Sequence, residues 1–429
     1  MKTKVGVMGL RYLIIGNSAA GIFAAETIRG LDSIGKITMI SKEDCLPYSR
    51  CLTSYFIGKE ISEEGMYIRN KDFYTQTGID FIGGNVERVD PDSRCVWLDN
   101  GEKVNYDKLL IATGASPFSP PLEGSDMEGV FQLRTSADAK AIAEFAPKVK
   151  TAVVMGAGLV GLKGAHGLHE LGIKVTVVGS APYLMRYSTD PESSEVLIKL
   201  LEKDGYRILL NTKAERILGE KNSNGRMSVS GVVLNTGEHI SCQMVLKAIG
   251  VRPNVQLVEG SGVFVNKGIV VDDEMETYVK DIYAAGDVAE ADDFLTGEKS
   301  VSALWPTATE QGIIAGCNMA GLKRRYRGSL ALNSAVICGV GLISAGIMNL
   351  PPGEGLVLKA VEPKKSFYRK FVIKDGRLIG MIMVGNIEGA GILSSLIRKK
   401  AKVDINYLNY LLTSPVKYHG YFPTGEGRE

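Results

Sequence analysis

The sequence predicts an α/β protein with two βαβ domains and a mixed α/β region toward its C-terminal end. Two observations carry most of that expectation: a strand, glycine turn, helix and strand running from Arg11 to Ile40, and a second such series from Thr151 to Val178. Length is the third, because 429 residues exceed one average domain and suggest two or three units with hydrophobic cores of their own.

The first series opens on the apolar strand Arg11-Tyr-Leu-Ile-Ile-Gly16 and passes through Asn17-Ser-Ala-Ala-Gly21. An amphipathic helix follows over Ile22 to Arg29, and then the strand Lys36 to Ile40. Gly16 allows the tight turn, and Gly21 lets the helix pack closely on the strand. The middle glycine of the usual pattern is replaced by Ser18. With Ala19 beside it, this small residue still lets the amides at the helix N-terminus approach a pyrophosphate, where the helix dipole favours negative charge. Glu43 lies just past the second strand, near the usual distance for a carboxylate that bonds a ribose hydroxyl.

The pattern then recurs. Thr151-Ala-Val-Val-Met-Gly156-Ala-Gly158-Leu-Val-Gly161 is a full G-x-G-x-x-G after an apolar strand. Its helix is expected to end at about Leu171, and Lys174 to Val178 forms the next strand. One glycine turn between strand and helix is a weak signal, whereas two in one chain point to two bound dinucleotides.

Composition narrows the class further. A chain 45% hydrophobic, 23% charged and 7% aromatic fits a globular enzyme and argues against a disordered or fibrous one. The net charge of +2 gives no reason to expect nucleic acid as a partner, since that needs a basic stripe to displace phosphate counterions. Cys45, Cys51, Cys95, Cys242, Cys317 and Cys338 are spread along a long chain, which points to a reducing cytoplasm rather than a disulfide framework. The apolar opening Val5 to Ile15 runs into a glycine turn without a cleavage site, so it reads as a buried strand and not a signal peptide. Ala335 to Met348 contains three glycines and falls short of the roughly 20 residues needed to cross a bilayer, so no membrane span is expected. His166 and His169 share a helix without a helpful cysteine or acid pattern, and no cysteine cluster has iron–sulfur spacing, so no metal site is expected.

Three further segments carry a family resemblance. Tyr106 through Ala112-Thr113-Gly114 resembles the strand and turn that return the chain between the nucleotide domains of FAD-dependent pyridine nucleotide-disulfide oxidoreductases. Thr277 through Gly286-Asp287 is similar to that family's second FAD signature, in which the Asp accepts a hydrogen bond from the flavin's ribityl chain. Ala248 through Pro253-Asn254 resembles the hinge that leads back from the NAD domain. The resemblance implies two Rossmann-like domains and a C-terminal mixed α/β interface domain. Residues 1–115 and 251–325 would form a discontinuous FAD domain, 116–250 an NAD(P) domain, and 326–429 the interface domain of a homodimer. Ala335 to Ile347 and Phe371 to Val384 read as strands of that last region. Val86 and Trp305 join Ala112, Thr113, Gly114 and Gly286 at the implied FAD site.

The flavin face is where the chain departs from its relatives. Pro47-Tyr48-Ser49-Arg50 resembles the P-Y-x-R of ferredoxin and rubredoxin reductases and of the flavin half of assimilatory nitrite reductases, where the Arg stays close to the flavin and its pyrophosphate. Cys51 falls where coenzyme A-disulfide reductases and NADH oxidases carry one redox cysteine. A thiolate there attacks a disulfide, persulfide or peroxide once Arg50 or a helix terminus lowers its pKa. Cys45 and Cys51 are separated by five residues, against the four of the dithiol subgroup, which argues against a standard internal disulfide. Where many relatives pair a Lys with a Glu near the flavin ring, this chain has Tyr55 and Lys163. A cation near the ring would favour anionic reduced flavin and alter how the nicotinamide docks. After the strand Val175 to Val178, Gly179-Ser180 offers neither the carboxylate of NADH enzymes nor the Arg of NADPH enzymes. NADH is favoured, and Arg186 keeps NADPH open.

The implied chemistry is hydride transfer between nicotinamide C4 and flavin N5. The P-Y-x-R motif and the missing dithiol favour an iron–sulfur carrier of ferredoxin or rubredoxin type as partner, in a larger redox complex or outside one. The alternatives are a single-cysteine reductase of disulfides, persulfides, peroxide or oxygen acting through Cys51, and a non-catalytic redox-sensing or assembly subunit.

Overall fold

The computed structural model describes residues 9–414. They form two compact units, one made of residues up to Val178 together with Thr212–Ser329, the other of Gly179–Asn211 and the residues from Leu330 onward.

The first unit is built on two parallel sheets. One runs in the order Ile282–Ala284, Lys108–Ile111, Arg11–Ile15, Lys36–Ser41, Ile79–Gly83. Its central strands are almost continuous apolar runs, as strands covered on both faces must be, and Leu13, Ile14, Met39, Leu109 and Leu110 are fully buried. The helix Ala19–Leu31 turns its small residues toward the helix Trp305–Met319. There a Cβ at Gly312 or Gly316 would strike the carbonyls of Ala20 or Ala24. The second sheet runs Lys174–Val178, Thr151–Met155, Met244–Lys247, Val130–Gln132, again all parallel. Between the two sheets the chain crosses twice, and the crossings Ala115–Pro117 and Val251–Pro253 pair antiparallel.

The second unit carries an antiparallel sheet in the order Leu332–Ile337, Val340–Gly346, Arg377–Gly385, Phe367–Lys374, Leu356–Glu362. The helices Pro191–Lys203, Ala390–Lys399 and Ile405–Leu411 complete the unit. The expected C-terminal strands are therefore present, together with an α-helix from the middle of the sequence. Among the described residues no helix is long and apolar enough to cross a membrane.

Candidate functional site

The two glycine turns have the same geometry. Gly16 adopts φ +126° and Gly156 φ +123°, a region that L side chains rarely enter. A Cβ at Gly16 would run into the Ala112 carbonyl, and one at Gly156 into the Ala248 carbonyl. In each case the obstacle is backbone just beyond the neighbouring parallel strand. The third glycines, Gly21 and Gly161, are held just as tightly against the carbonyls of Gly16 and Gly156. The helices begin after Ser18 and Gly158, both in extended backbone; the Ser18 side chain makes no capping bond, and glycine has none to make. Their leading amides are thus left for an anion, and a Cβ at Gly158 would meet nothing within 4 Å. Both turns fit a dinucleotide pyrophosphate.

Around the first turn the structure assembles a charged network. Glu43, expected at a ribose, accepts from Arg50 Nη2 at 2.5 Å and from Tyr48 Oη at 2.6 Å. Arg50 Nη1 donates to the Arg134 carbonyl at 2.8 Å and to Tyr48 Oη at 3.1 Å. Arg50 is thus largely engaged by protein atoms instead of presenting an unoccupied fork. Asp287 accepts from Arg134 Nη2 at 2.8 Å, with both side chains mostly buried, and the buried Arg134 Nε has no partner among the described residues. Arg134 also lies against Gly114, where an added Cβ would come to 3.4 Å from its guanidinium. The sequence reading missed this residue. Its one signal is position: a cation directly before the capping box Thr135-Ser-Ala-Asp138 that opens the helix Ser136–Phe145.

Thr113 Oγ1 donates to the Asn254 carbonyl, and Asn254 Nδ2 donates to the Thr113 carbonyl, both at 2.9 Å, so Thr113 ties the two crossings together. Gly286 has φ +81° and donates its N–H to Gln311 Oε1. Trp305 opens the helix Trp305–Met319 and packs on the apolar core around the first sheet, as does Val86, two residues after Gly84 binds the Ser41 carbonyl.

Cys51 sits in the helical turn Arg50–Leu52 and is exposed. Enough protein stands around its sulfur for lost hydration to push the thiol pKa up, and the Asp287 carboxylate pushes the same way against Ser49 and Arg134. The lowering by Arg50 on which thiolate chemistry would depend is not seen, because that guanidinium is turned toward Glu43 and Tyr48. The Cys45 thiol is also raised, first by burial and then by Glu43, against Arg50, Ser136 and Lys140. Tyr55 and Lys163 do come together: Lys163 Nζ donates to Tyr55 Oη at 2.8 Å and stands 4.6 Å from the ring centre. The pair joins the helix Thr53–Ile57 to the helix Leu159–Glu170. His166 meets the same ring edge-on and lies 3.2 Å from Glu60 and 3.6 Å from Glu170.

The family model for pyridine nucleotide-disulphide oxidoreductases matches residues 10–312. The chain belongs to that family. The model for the rubredoxin NAD+ reductase C-terminal domain matches residues 333–401 of this oxidoreductase. An NADH oxidase of Methanocaldococcus jannaschii is 35% identical over 405 residues, covering 88% of each protein. The NADH-dependent phenylglyoxylate dehydrogenase subunit epsilon of Aromatoleum evansii is 32% identical over 393 residues, 91% of this chain and 92% of that one. The crystal structure of NADH:rubredoxin oxidoreductase from Clostridium acetobutylicum superposes with a TM-score of 0.77 at 27% identity, covering 94% of this chain and 99% of the other. This member of the family is an FAD-dependent NAD(P)H oxidoreductase, and its two glycine cradles match the two dinucleotides it uses.

Proposed function

We propose that this oxidoreductase passes electrons from NADH through FAD to an iron–sulfur carrier of ferredoxin or rubredoxin type, as a cytoplasmic homodimer. The observation that carries the choice of acceptor is Cys51: its thiol is pushed up, not down, and so is that of Cys45. A thiol held protonated at neutral pH is a poor nucleophile toward a disulfide or persulfide. The match of residues 333–401 to a rubredoxin reductase domain supports the same reading. So does the clostridial relative, and the Aromatoleum relative, named as a subunit, supports a larger redox complex as the setting.

In this reading residues 1–115 and 251–325 hold FAD, residues 116–250 hold the nicotinamide nucleotide, and residues 326–429 form the dimer interface. Bound FAD supplies two-electron acceptance from the nicotinamide and one-electron release to a carrier. Gly16, Ser18, Ala19 and Gly21 seat one pyrophosphate, and Gly156, Gly158 and Gly161 the other. Ala112, Thr113, Gly114, Gly286 and Asp287 lie along the ribityl side, with Val86 and Trp305 as apolar walls. Arg50 and Glu43 act as a pair, and Arg134 orients Asp287. Tyr55 and Lys163 place a cation at the ring where the nicotinamide docks.

The test is stopped-flow reduction of the flavin by NADH, followed by reoxidation with each acceptor class, in wild type and Cys51→Ser. Carrier and dye reoxidation should persist in the variant. Because the Cys51 pKa is raised, iodoacetamide labelling should reach half its limiting rate above the ordinary thiol value of about 8.5. Loss of carrier reoxidation with flavin content intact, or fast labelling at pH 7, would move the acceptor to the sulfur.

A further inference from the structure

The two parallel sheets of the first unit repeat one arrangement and so allow an internal comparison. In the first, Ile111 ends its strand opposite Ile15, and the Ala112 carbonyl then crowds Gly16. In the second, Lys247 ends its strand opposite Met155, and the Ala248 carbonyl crowds Gly156. Lys247 is therefore the counterpart of Ile111, which is fully buried. The fold asks only for an apolar residue at this register, yet the second sheet carries a lysine there that is 8% exposed. Burial lowers its pKa, and no acid opposes that shift. A buried cation without a carboxylate weakens a fold, so the residue is best explained by what it holds.

Leu246 reaches the helix Leu159–Glu170 at Gly164, and alternation along the strand turns Lys247 to the opposite face. There its Nζ donates to Ser119 Oγ at 2.8 Å. Ser119 lies on the chain entering the second sheet, just past the crossing Ala115–Pro117, whereas Lys247 lies on the chain leaving it. The two crossings are thus tied at three levels. Thr113 and Asn254 exchange bonds at the end nearest the first sheet. The pairing of Ala115–Pro117 with Val251–Pro253 and the bond from Phe118 N to the Gly250 carbonyl hold the middle. Lys247 and Ser119 close the end nearest the second sheet. Backbone is poorly equipped to make that last tie, because Pro120 and Pro121 have no N–H to give. Among the described residues, the bond from Lys247 is the only hydrogen bond that residues 119–121 make.

The glycine turns at Gly16 and Gly156 stand at the carboxyl ends of different sheets, so two bound rings meet only as precisely as the sheets are held. We propose that Lys247 is a positioning residue for hydride transfer: by pinning Ser119 it fixes the connection between the two sheets and with it the approach of nicotinamide to flavin. An apolar side chain would suit the buried strand better and leave the connection loose. This rests on reading the Gly16 and Gly156 turns as the seats of FAD and of the nicotinamide nucleotide.

The test uses the FAD-loaded enzyme and compares Lys247→Met, Ser119→Ala, the double variant and Ser119→Thr. Stopped-flow mixing with NADH gives the limiting rate of flavin reduction, calorimetry gives the affinity for NAD+, and flavin content and melting temperature are measured alongside. The limiting rate should fall about tenfold in Lys247→Met and in Ser119→Ala. The double variant should be no slower than either single one, since both remove the same bond, and Ser119→Thr, which keeps the hydroxyl, should stay near wild type. NAD+ affinity and flavin content should not change, and Lys247→Met should melt no lower than wild type because it removes a buried cation. An unchanged limiting rate in both single variants, with or without a lower melting temperature, would overturn the proposal, as would losses that multiply in the double variant. If Lys247→Met does not fold, Ser119→Ala, a change at an exposed residue, decides alone. Gly158→Ala separates the two layers of the argument. If it leaves NADH affinity unchanged, the nucleotide is not seated at the Gly156 turn; if it weakens NADH while Ser119→Ala leaves the rate unchanged, only the pin fails.

Discussion

Gly156 and Gly158 stand two residues apart in one motif, and the structure predicts opposite failures when each becomes alanine. Gly156 has φ +123°, and its new Cβ would be driven into the Ala248 carbonyl. The backbone conformation alone costs about 1–3 kcal/mol for an L residue, and relief of the overlap adds to it. Gly156→Ala should therefore lower the melting temperature. Gly158 has φ −85° with ψ 179° and open space where a Cβ would stand. Gly158→Ala should keep the unfolding free energy within about 1 kcal/mol of wild type, the small loss being that of alanine at an N-cap. Its methyl, however, would occupy the approach of the pyrophosphate to the first amides of the helix Leu159–Glu170. Loss of one charge-assisted hydrogen bond is worth roughly 1.5–3 kcal/mol, which is about ten- to hundredfold in Kd for NADH. FAD content should not change, because the Gly16–Gly21 cradle is separate. Calorimetric titration with NAD+ and anaerobic bleaching of the flavin by NADH measure the affinity, and a thermal scan measures the stability. Wild-type NADH affinity in Gly158→Ala would refute the placement of the pyrophosphate, and an undiminished melting temperature in Gly156→Ala would refute the steric reasoning.

Two other substitutions probe the flavin side. Asp287→Ala removes the proposed ribityl acceptor and strands Arg134, whose 2.8 Å bond to the carboxylate is mostly buried. A loss of about 1.5–3 kcal/mol should leave the purified protein largely colourless, and full flavin absorbance per chain would remove Asp287 from the site. Lys163→Met takes a cation away from Tyr55 Oη, 2.8 Å distant, and should lower the flavin midpoint potential by on the order of 30 mV, or about 1.4 kcal/mol for two electrons. Spectroelectrochemical titration reads this directly, and an unchanged potential would place Lys163 outside the field of the ring.

Backbone features were legible in the sequence because each follows from one or two residue types. The glycine positions in both motifs and the apolar strands beside them follow from local sterics or apolar runs, whereas the crossings at Ala112–Gly114 and Ala248–Asn254 were legible only through the family resemblance. Side-chain partnerships were legible only where a resemblance supplied both members, as for Tyr55 and Lys163. Arg134 was missed because its partner Asp287 lies 153 residues away and its own neighbourhood reads as a simple helix start. The direction of the Cys51 shift was not legible for a related reason. Adjacency to Arg50 suggests a lowered thiol, but a guanidinium is directional and this one points to Glu43 and Tyr48. The grouping of residues 179–211 with the C-terminal sheet has no local signal either, since it depends on Asp190 meeting Tyr368 and Lys370.

The Arg134 position also lets one residue serve both parallel sheets of the first unit. It ends the strand-to-helix connection between Val130–Gln132 and Ser136–Phe145, elements of the second parallel sheet region, yet its guanidinium binds Asp287 of the first. Its carbonyl receives Arg50, which holds Glu43, so three backbone segments meet through one network with alternating charge. Each cation in it has a carboxylate within 2.8 Å, which offsets the desolvation that would otherwise make two arginines at one edge unfavourable. Removing either acid therefore does more than subtract a cofactor contact, because Glu43 and Asp287 both stabilise the Arg50 charge. On this argument Glu43→Gln and Asp287→Ala should be more damaging together than the sum of their separate effects on flavin retention. Simple additivity in the double-mutant cycle would show that the two ion pairs act independently.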